Sequence, residues 1–455
     1  MFNDYKERGG TMQPNRGDRK VRNVVAKLAL LFVSVCLSAC AGTTAKNSVF
    51  WPGAPDLPRI QFLTAFKDSK DVVGEKKLSL LDIGGSQDIF INLVKPYGIA
   101  AANGKLYICD TVQADVITVD LPNKKMTRLS GNVNAGRLKK PMNVAVDARG
   151  NLYVADTSRL EVLQYAPDGS YVRSIGTSKE LKPVDVRVDD LYLYILDGMT
   201  SQVHLYDLAS GDYVKSIGRN DDPKRSLAGP TNMALDDKGG VYVSNFGSGR
   251  IIKLDRDGNF HLGYGKLGSS FADFTRPRGI TVDANGLVYV VDAGAQHVQI
   301  FDDKFRLLLL FAGPGTPGSL NIPAGIAVSS DNLDYYQTLA EPDFKLEKVV
   351  FVVSQVGEHK VSVYGLGKKQ GIDYAAEEKK TLEDVKKRAA EAAERRRKLE
   401  EEKAAKELAA KEQAAKEQAG EEAKAAAAAP ALAPAEEPVS LPWTKGPAGA
   451  TPAGR

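Results

Sequence analysis

The chain has 455 residues, 43% of them hydrophobic and 26% charged, which is enough apolar material for a sizeable core. Its 61 Lys and Arg against 57 Asp and Glu give a net charge of +4, which excludes a strongly basic nucleic-acid binder. Three cysteines exclude a disulfide-built scaffold.

Lys20, Arg22 and Lys27 precede an apolar run over residues 28–37 that is too short to span a bilayer comfortably. Residues 1–39 therefore read as a targeting segment, and Leu37-Ser38-Ala39-Cys40 resembles a bacterial lipobox. That resemblance implies cleavage before Cys40, lipid on its sulfur, and a membrane anchor that does not cross the membrane. No aspartate follows Cys40, which by the same analogy implies the outer membrane of the cell envelope. Residues 1–39 carry seven Lys or Arg and three Asp or Glu, so cleavage leaves a mature chain of zero formal charge. No nucleic-acid partner is expected of it. Cys36 leaves with the segment, and Cys109, late in an inner strand, is expected to be a buried small hydrophobe. Residues 40–58 form a proline-rich tether, with Trp51 expected against the side of the next domain. Residues 67–95 hold more apolar side chains than a connector needs and predict a small helix or hairpin.

From Pro96 onward one pattern recurs. Pro141-Met142-Asn143-Val144-Ala145-Val146-Asp147 leads through a tight turn to Leu152-Tyr153-Val154-Ala155-Asp156. Similar runs open at Pro96, Pro183, Pro230, Pro277 and Pro323, spaced 45, 42, 47, 47 and 46 residues apart. Each unit continues with two further apolar runs about an Asp-Gly turn, as at Asp168-Gly169 and Asp257-Gly258, so each predicts a four-stranded antiparallel meander. The sixth unit lacks its fourth strand. Residues 59–66 offer one, and placing it outside the last unit closes a ring and removes an open edge. The prediction is an all-β, six-bladed β-propeller over residues 59–367. The repeated Pro-x-Gly-Ile-x-Val-Asp and Leu-Tyr-Val-x-Asp runs, best at Pro277-Arg278-Gly279-Ile280, resemble the NHL-repeat family of six-bladed propellers. That resemblance implies the fold and leaves the ligand open, because such propellers include binding modules, scaffolds and enzymes.

Asp110, Asp156, Asp197, Asn245 and Asp292 recur at the ends of second strands, where a carboxylate caps the following turn. Their symmetry argues against catalysis, which needs different groups in different roles. The second-strand tyrosines Tyr107, Tyr153, Tyr242 and Tyr289 read as inter-blade packing whose hydroxyls need partners. His204, His261, His297 and His359 do not form a zinc-ligand set, there is no Cys-x-x-Cys-His, and no cofactor or metal is expected. Loops before the first strands are basic at Lys139, Lys140, Arg219, Lys224, Arg225, Arg276 and Arg278; Arg276 and Arg278 are candidate binding residues. Residues 331–348 lengthen a turn of the sixth unit and put forward Tyr335 and Tyr336 as contact candidates.

Residues 368–424 are rich in Ala, Glu, Lys and Arg. Acid-before-base pairs four apart, such as Glu394 and Lys398, and the lack of a heptad seam predict a charged single α-helix. Residues 425–455 read as an Ala/Pro-rich disordered tail in which Trp443 is a candidate binding residue for a partner. The whole reads as a non-enzymatic cell-envelope lipoprotein, held to a membrane through Cys40. Its propeller docks another envelope protein or polymer, and its helical tail is a spacer or tether. A propeller lyase or hydrolase and a small-ligand or glycan sensor are the alternatives.

Overall fold

A computed structural model describes residues 48–74, 90–176 and 181–427. The targeting segment, Cys40, Trp443 and the Ala/Pro tail lie outside the described residues. β-branched and small side chains alternate after each recurring proline, so each repeat starts with an inner strand. The chain opens with β1 (Phe50–Trp51), β2 (Ile60–Phe66) and the short α1 (Ser69–Val73). Blade one is β3 (Pro96–Ala102), β4 (Lys105–Asp110), β5 (Asp115–Asp120) and β6 (Lys125–Arg128). Blade two is β7 (Pro141–Val146), β8 (Leu152–Asp156), β9 (Glu161–Tyr165) and β10 (Tyr171–Ile175). Blade three is β11 (Pro183–Val188), β12 (Tyr192–Asp197), β13 (Gln202–Asp207) and β14 (Tyr213–Ile217). Blade four is β15 (Pro230–Leu235), β16 (Val241–Asn245), β17 (Arg250–Leu254) and β18 (Phe260–Tyr264). Blade five is β19 (Pro277–Val282), β20 (Val288–Asp292), β21 (His297–Phe301) and β22 (Leu307–Phe311). Each is an antiparallel meander in chain order. The Asp-Gly turns behave as expected: Gly169 and Gly258 sit at φ +86° and +91°, where a side chain would be strained.

Blade six contains β23 (Pro323–Ser329), the short α2 (Leu333–Gln337), β24 (Phe344–Ser354) and β25 (Val361–Lys369), and its sheet runs β1-β2-β25-β24-β23. β2 supplies the missing fourth strand, with Ile60 opposite Leu366 and Phe66 opposite Val361. The tether adds a fifth: Phe50 and Trp51 pair with Gln61 and Ile60. Trp51 packs on Phe311 and Tyr364, with ring centroids 6.2 and 5.9 Å away.

An apolar cluster fills each gap between neighbouring blades. Cys109, Val116, Val144 and Val154 join blades one and two. Tyr153, Val162, Val186 and Ile195 join two and three. Tyr194, Val203, Met233 and Val243 join three and four, and Tyr242, Ile251, Ile280 and Val290 join four and five. Tyr289, Val298, Ile326 and Val352 join five and six. The last cluster carries Leu106 and Ile108 from blade one with Val349 and Phe351 from blade six, which closes the circle. Val72, Ile91 and Leu93 of the 67–95 segment enter that cluster, while Phe90 and Val94 stay exposed.

A separate unit begins at Asp373 and carries the 54-residue helix α3 (Tyr374–Ala427). The helix starts later than expected because Lys368 and Lys369 extend β25 against Lys345 and Phe344. Glu394–Lys398, Glu402–Lys406 and Glu407–Lys411 ion pairs run along it at 2.8, 2.7 and 3.2 Å. Among the described residues no helix is long and apolar enough to cross a membrane.

Candidate functional site at the proline face

The meander order gives the ring two unlike faces. One carries the prolines that start the inner strands, together with the loops that leave the second and fourth strands. We call it the proline face. The other carries the two hairpin turns of each blade.

On the proline face the recurring carboxylates do more than cap one turn. Asp156 accepts from the backbone N–H of Ser158 and Arg159 after its strand, each at 3.0 Å, and from Lys139 and Lys140 before the inner strand at 2.6 and 3.0 Å. Asp110 repeats this with Val94, Lys95, Val112 and Gln113. Each side chain thus ties two loops of its blade together. In blade four Asn245 Oδ1 accepts from Ala228 N at 3.0 Å, and its Nδ2 donates to Val243 O. Asp197 accepts from Lys182, Met199 and Thr200, with His204 Nε2 at 3.4 Å. Burial pushes the Asp197 carboxyl up, but hydrogen bonds from His204, Thr200 and the backbone outweigh it and hold it well below the usual range.

A second carboxylate ladder on the hairpin face went unread in the sequence as a site. Asp147, Asp189, Asp236 and Asp283 close the first turn of blades two to five and accept from Tyr153, Tyr194, Tyr242 and Tyr289 hydroxyls at 3.1, 2.8, 3.0 and 2.9 Å. The signal was available, since an Asp stands five or six residues before each tyrosine. A groove of about 600 Å³ lies on this face between blades two and three, lined by Asp147, Arg149, Arg173, Asp189 and Asp207. Its polar groups are largely used internally: Arg173 donates to Gln164, Leu208 O and Ser210 O, and Asp189 pairs with Arg256.

The predicted contact residues separate. Tyr336 is only 3% exposed and stands edge-on to Phe351, 5.7 Å between centroids, so it is a core residue and not a surface contact. The reason is that β24 starts at Phe344, earlier than the sequence suggested, and makes a shelf on which α2 lays its apolar side. Tyr335 is half-buried against Tyr336. Arg276 and Arg278 both lie on the proline face but reach different blades. Arg276 lies over the Phe246 ring at 5.3 Å, and Arg278 reaches Tyr97 of blade one at 5.4 Å. The proline face also carries Lys139, Lys140, Arg219, Lys224 and Arg225, all in loops that precede inner strands. Exposed apolar side chains join them there: Val112, Met199, Phe246, Leu267 and Phe271, the last 84% exposed. The histidines do not converge: His297 is half-buried at the start of β21, His261 lies near Asp255 and His359 stacks on Phe62. Among the described residues no three His, Cys, Asp or Glu side chains are grouped to hold a metal ion. Cys109 is buried, and burial pushes its thiol well up.

Residues 274–301, in blade five, match the family model of the NHL repeat. NHL repeat-containing protein 3 of Homo sapiens is 31% identical over 100 residues, which are 20% of this chain and 29% of that one. Its Mus musculus counterpart is 26% identical over 185 residues, 35% of this chain and 51% of that one. The chain thus spans about half or less of the length of these curated relatives. Similar solved structures include a streptogramin B lyase, at 12% identity and TM-score 0.43 over 60% of this chain and 94% of that one. A gluconolactonase from Xanthomonas campestris is 17% identical at TM-score 0.46 over 70% and 97%. With one repeat form in six closed blades and the family's model matching the fifth, this chain is a six-bladed β-propeller that carries an NHL repeat in blade five.

Proposed function

We propose that the propeller is a docking domain of a lipid-anchored cell-envelope protein, and that its proline face is the surface that binds. The observation that carries this reading is the composition of that face. Val112, Met199, Phe246, Leu267 and Phe271 are exposed there beside Arg276, while the recurring carboxylates are consumed in loop ties. Exposed apolar and aromatic groups next to arginines, on a rigid scaffold, are the usual makings of a protein-binding surface. Charge favours an acidic partner surface.

The chain's course supports the same arrangement. Ser48 Oγ donates to Glu341, and Lys369 pairs with Phe344, so both ends of the propeller lie on blade six near its hairpin-face connection. A lipid on Cys40 would hold that rim and leave the opposite face for a partner. Residues 48 and 40 are close enough in sequence that the tether spans at most roughly 28 Å. The helical unit, roughly 80 Å long at 1.5 Å per residue, serves as the spacer.

The test is site-specific photocrosslinking in cells. A crosslinker at Leu267 or Phe271 is expected to capture a defined envelope protein, and one at Leu191, exposed on the hairpin face, is not. The same adduct from Leu191, or none from the proline face, would sink the reading.

A further inference from the structure

The third residue of each inner strand forms a ring about the central channel: Gly98, Asn143, Asp185, Asn232, Gly279 and Gly325. Three are glycine because the next blade's backbone leaves no room. A Cβ at Gly98, Gly279 or Gly325 would lie 2.4, 2.5 or 2.4 Å from Met142 O, Ala324 O or Tyr97 O. Two carry polar side chains that bond to the next blade. Asn143 Nδ2 donates to Val184 O at 2.9 Å, and Asp185 Oδ2 accepts from Met233 N at 2.8 Å. Asp185 Oδ1 is also held by Val186 N and Arg187 Nη1, at 2.7 Å each.

The sixth position breaks the rule. Asn232 is 1% exposed, yet neither its Nδ2 nor its Oδ1 has a hydrogen-bond partner. Ser244, opposite it on the ladder, is buried with an unbonded hydroxyl. Other blades place Cys109, Ala155, Leu196, Val291 and Val353 at the Ser244 position, so this polar pair is peculiar to blade four. The adjoining strand β19 carries Arg278, whose Nη1 is buried and unbonded too. Thr231 Oγ1 donates to Pro277 O at 3.2 Å, which fixes the two strand starts side by side. Arg278 extends over Tyr97, so its charge is presented at the mouth of the channel between blades one and five.

Buried polar groups without a protein partner are rare in folded proteins, and those of the adjoining strands β15 and β19 call for a bound water or a ligand. Here the free donors are a guanidinium, an amide and the Ser244 hydroxyl, and the one free acceptor is Asn232 Oδ1. The carboxylate of the ring, Asp185, is already engaged. A negatively charged acceptor complements those donors, which outnumber the free acceptor, and a planar guanidinium fork suits an oxyanion. We infer that the channel mouth beside Arg278 and Asn232 binds one oxyanion, a carboxylate or a phosphate, borne by a small molecule. The cavity farther down the channel, lined by Ile99, Ala100, Val144, Ala145, Arg187 and Ile326, is only about 170 Å³, which limits the ligand to a small one. This site stands on its own geometry and does not depend on the docking role of the surrounding face.

The purified full-length chain is titrated with acetate and, separately, with inorganic phosphate, against chloride at matched ionic strength. Calorimetry and amide chemical shifts follow binding. Saturable binding of at least one is expected. Arg278→Gln should weaken it roughly tenfold, equivalent to about 1.4 kcal/mol. Arg278→Lys, which keeps the charge and loses the fork, and Asn232→Ala should each weaken it less. Acetate alone assigns the site to carboxylates, phosphate alone to phosphate esters, and either supports it. No saturation with either probe, or unchanged binding in both Arg278→Gln and Asn232→Ala, would mean that water fills the gap and would overturn the inference.

Discussion

Asp292 shows how much one side chain carries in this ring. It accepts from Thr275 N and Oγ1 at 2.6 Å, from Arg276 N and Gly294 N at 2.9 Å, and from Ala295 N at 3.1 Å. Asp292→Ala orphans several backbone donors at once and should cost about 2–4 kcal/mol in urea unfolding. Asp292→Asn should cost less, since Asn245 fills the same place in blade four. Burial raises the Asp292 carboxyl, but Thr275 and the backbone donors outweigh it and lower it, as in Asp197. A depressed folded pKa means stability that is present above the unfolded value of about 4 and lost as pH falls toward the folded one. Thermal melts should therefore fall on acidification below about pH 4, and the acid limb should be shallower in Asp292→Asn. Tyr336→Ala, which empties a core site against Phe351, should cost about 3–5 kcal/mol in the same assay. A near-neutral result would restore Tyr336 as a surface residue.

At the scale of elements, closure rests on β2. Without residues 48–66, β25 becomes an open edge beside a ring whose sixth blade has three strands. The truncated chain should lose its single cooperative transition and aggregate on size exclusion. A monomeric truncation with an unchanged melt would show that the ring holds without its fourth strand. The helix is held differently. Its acid-before-base pairs each give a few tenths of a kcal/mol, and Arg396–Glu400 and Arg397–Glu401 run in the less favourable order. Circular dichroism of residues 373–455 alone should show strong helicity that falls modestly in high salt, because exposed ion pairs are screened. A salt-independent signal would assign the helicity to intrinsic propensity alone.

For the whole molecule the issue is orientation. Apolar and basic side chains gather on the proline face, the tyrosine-linked carboxylates on the hairpin face, and the two ends of the propeller, at Ser48 and Lys369, lie on blade six near the hairpin face. The proposed lipid on Cys40 would turn that asymmetry into an orientation relative to a membrane. Cys40→Ser should move the protein from the membrane to the soluble fraction on cell fractionation. Retention in the membrane fraction would mean that something else holds it there.

The blade count, the strand order and the identity of the closing strand were legible in the sequence, because proline, period-two alternation and Asp-Gly turns act over a few residues and repeat six times. The long helix was legible for the same reason, from pairs four residues apart. The sequence could name Arg276 and Arg278 as candidates, but not what stood around them. Only the tertiary structure set Arg278 across the channel from Tyr97, left Asn232 and Ser244 without partners, and buried Tyr336 under an extended hairpin. Those outcomes depend on contacts between residues tens to hundreds of positions apart, which local pattern does not encode.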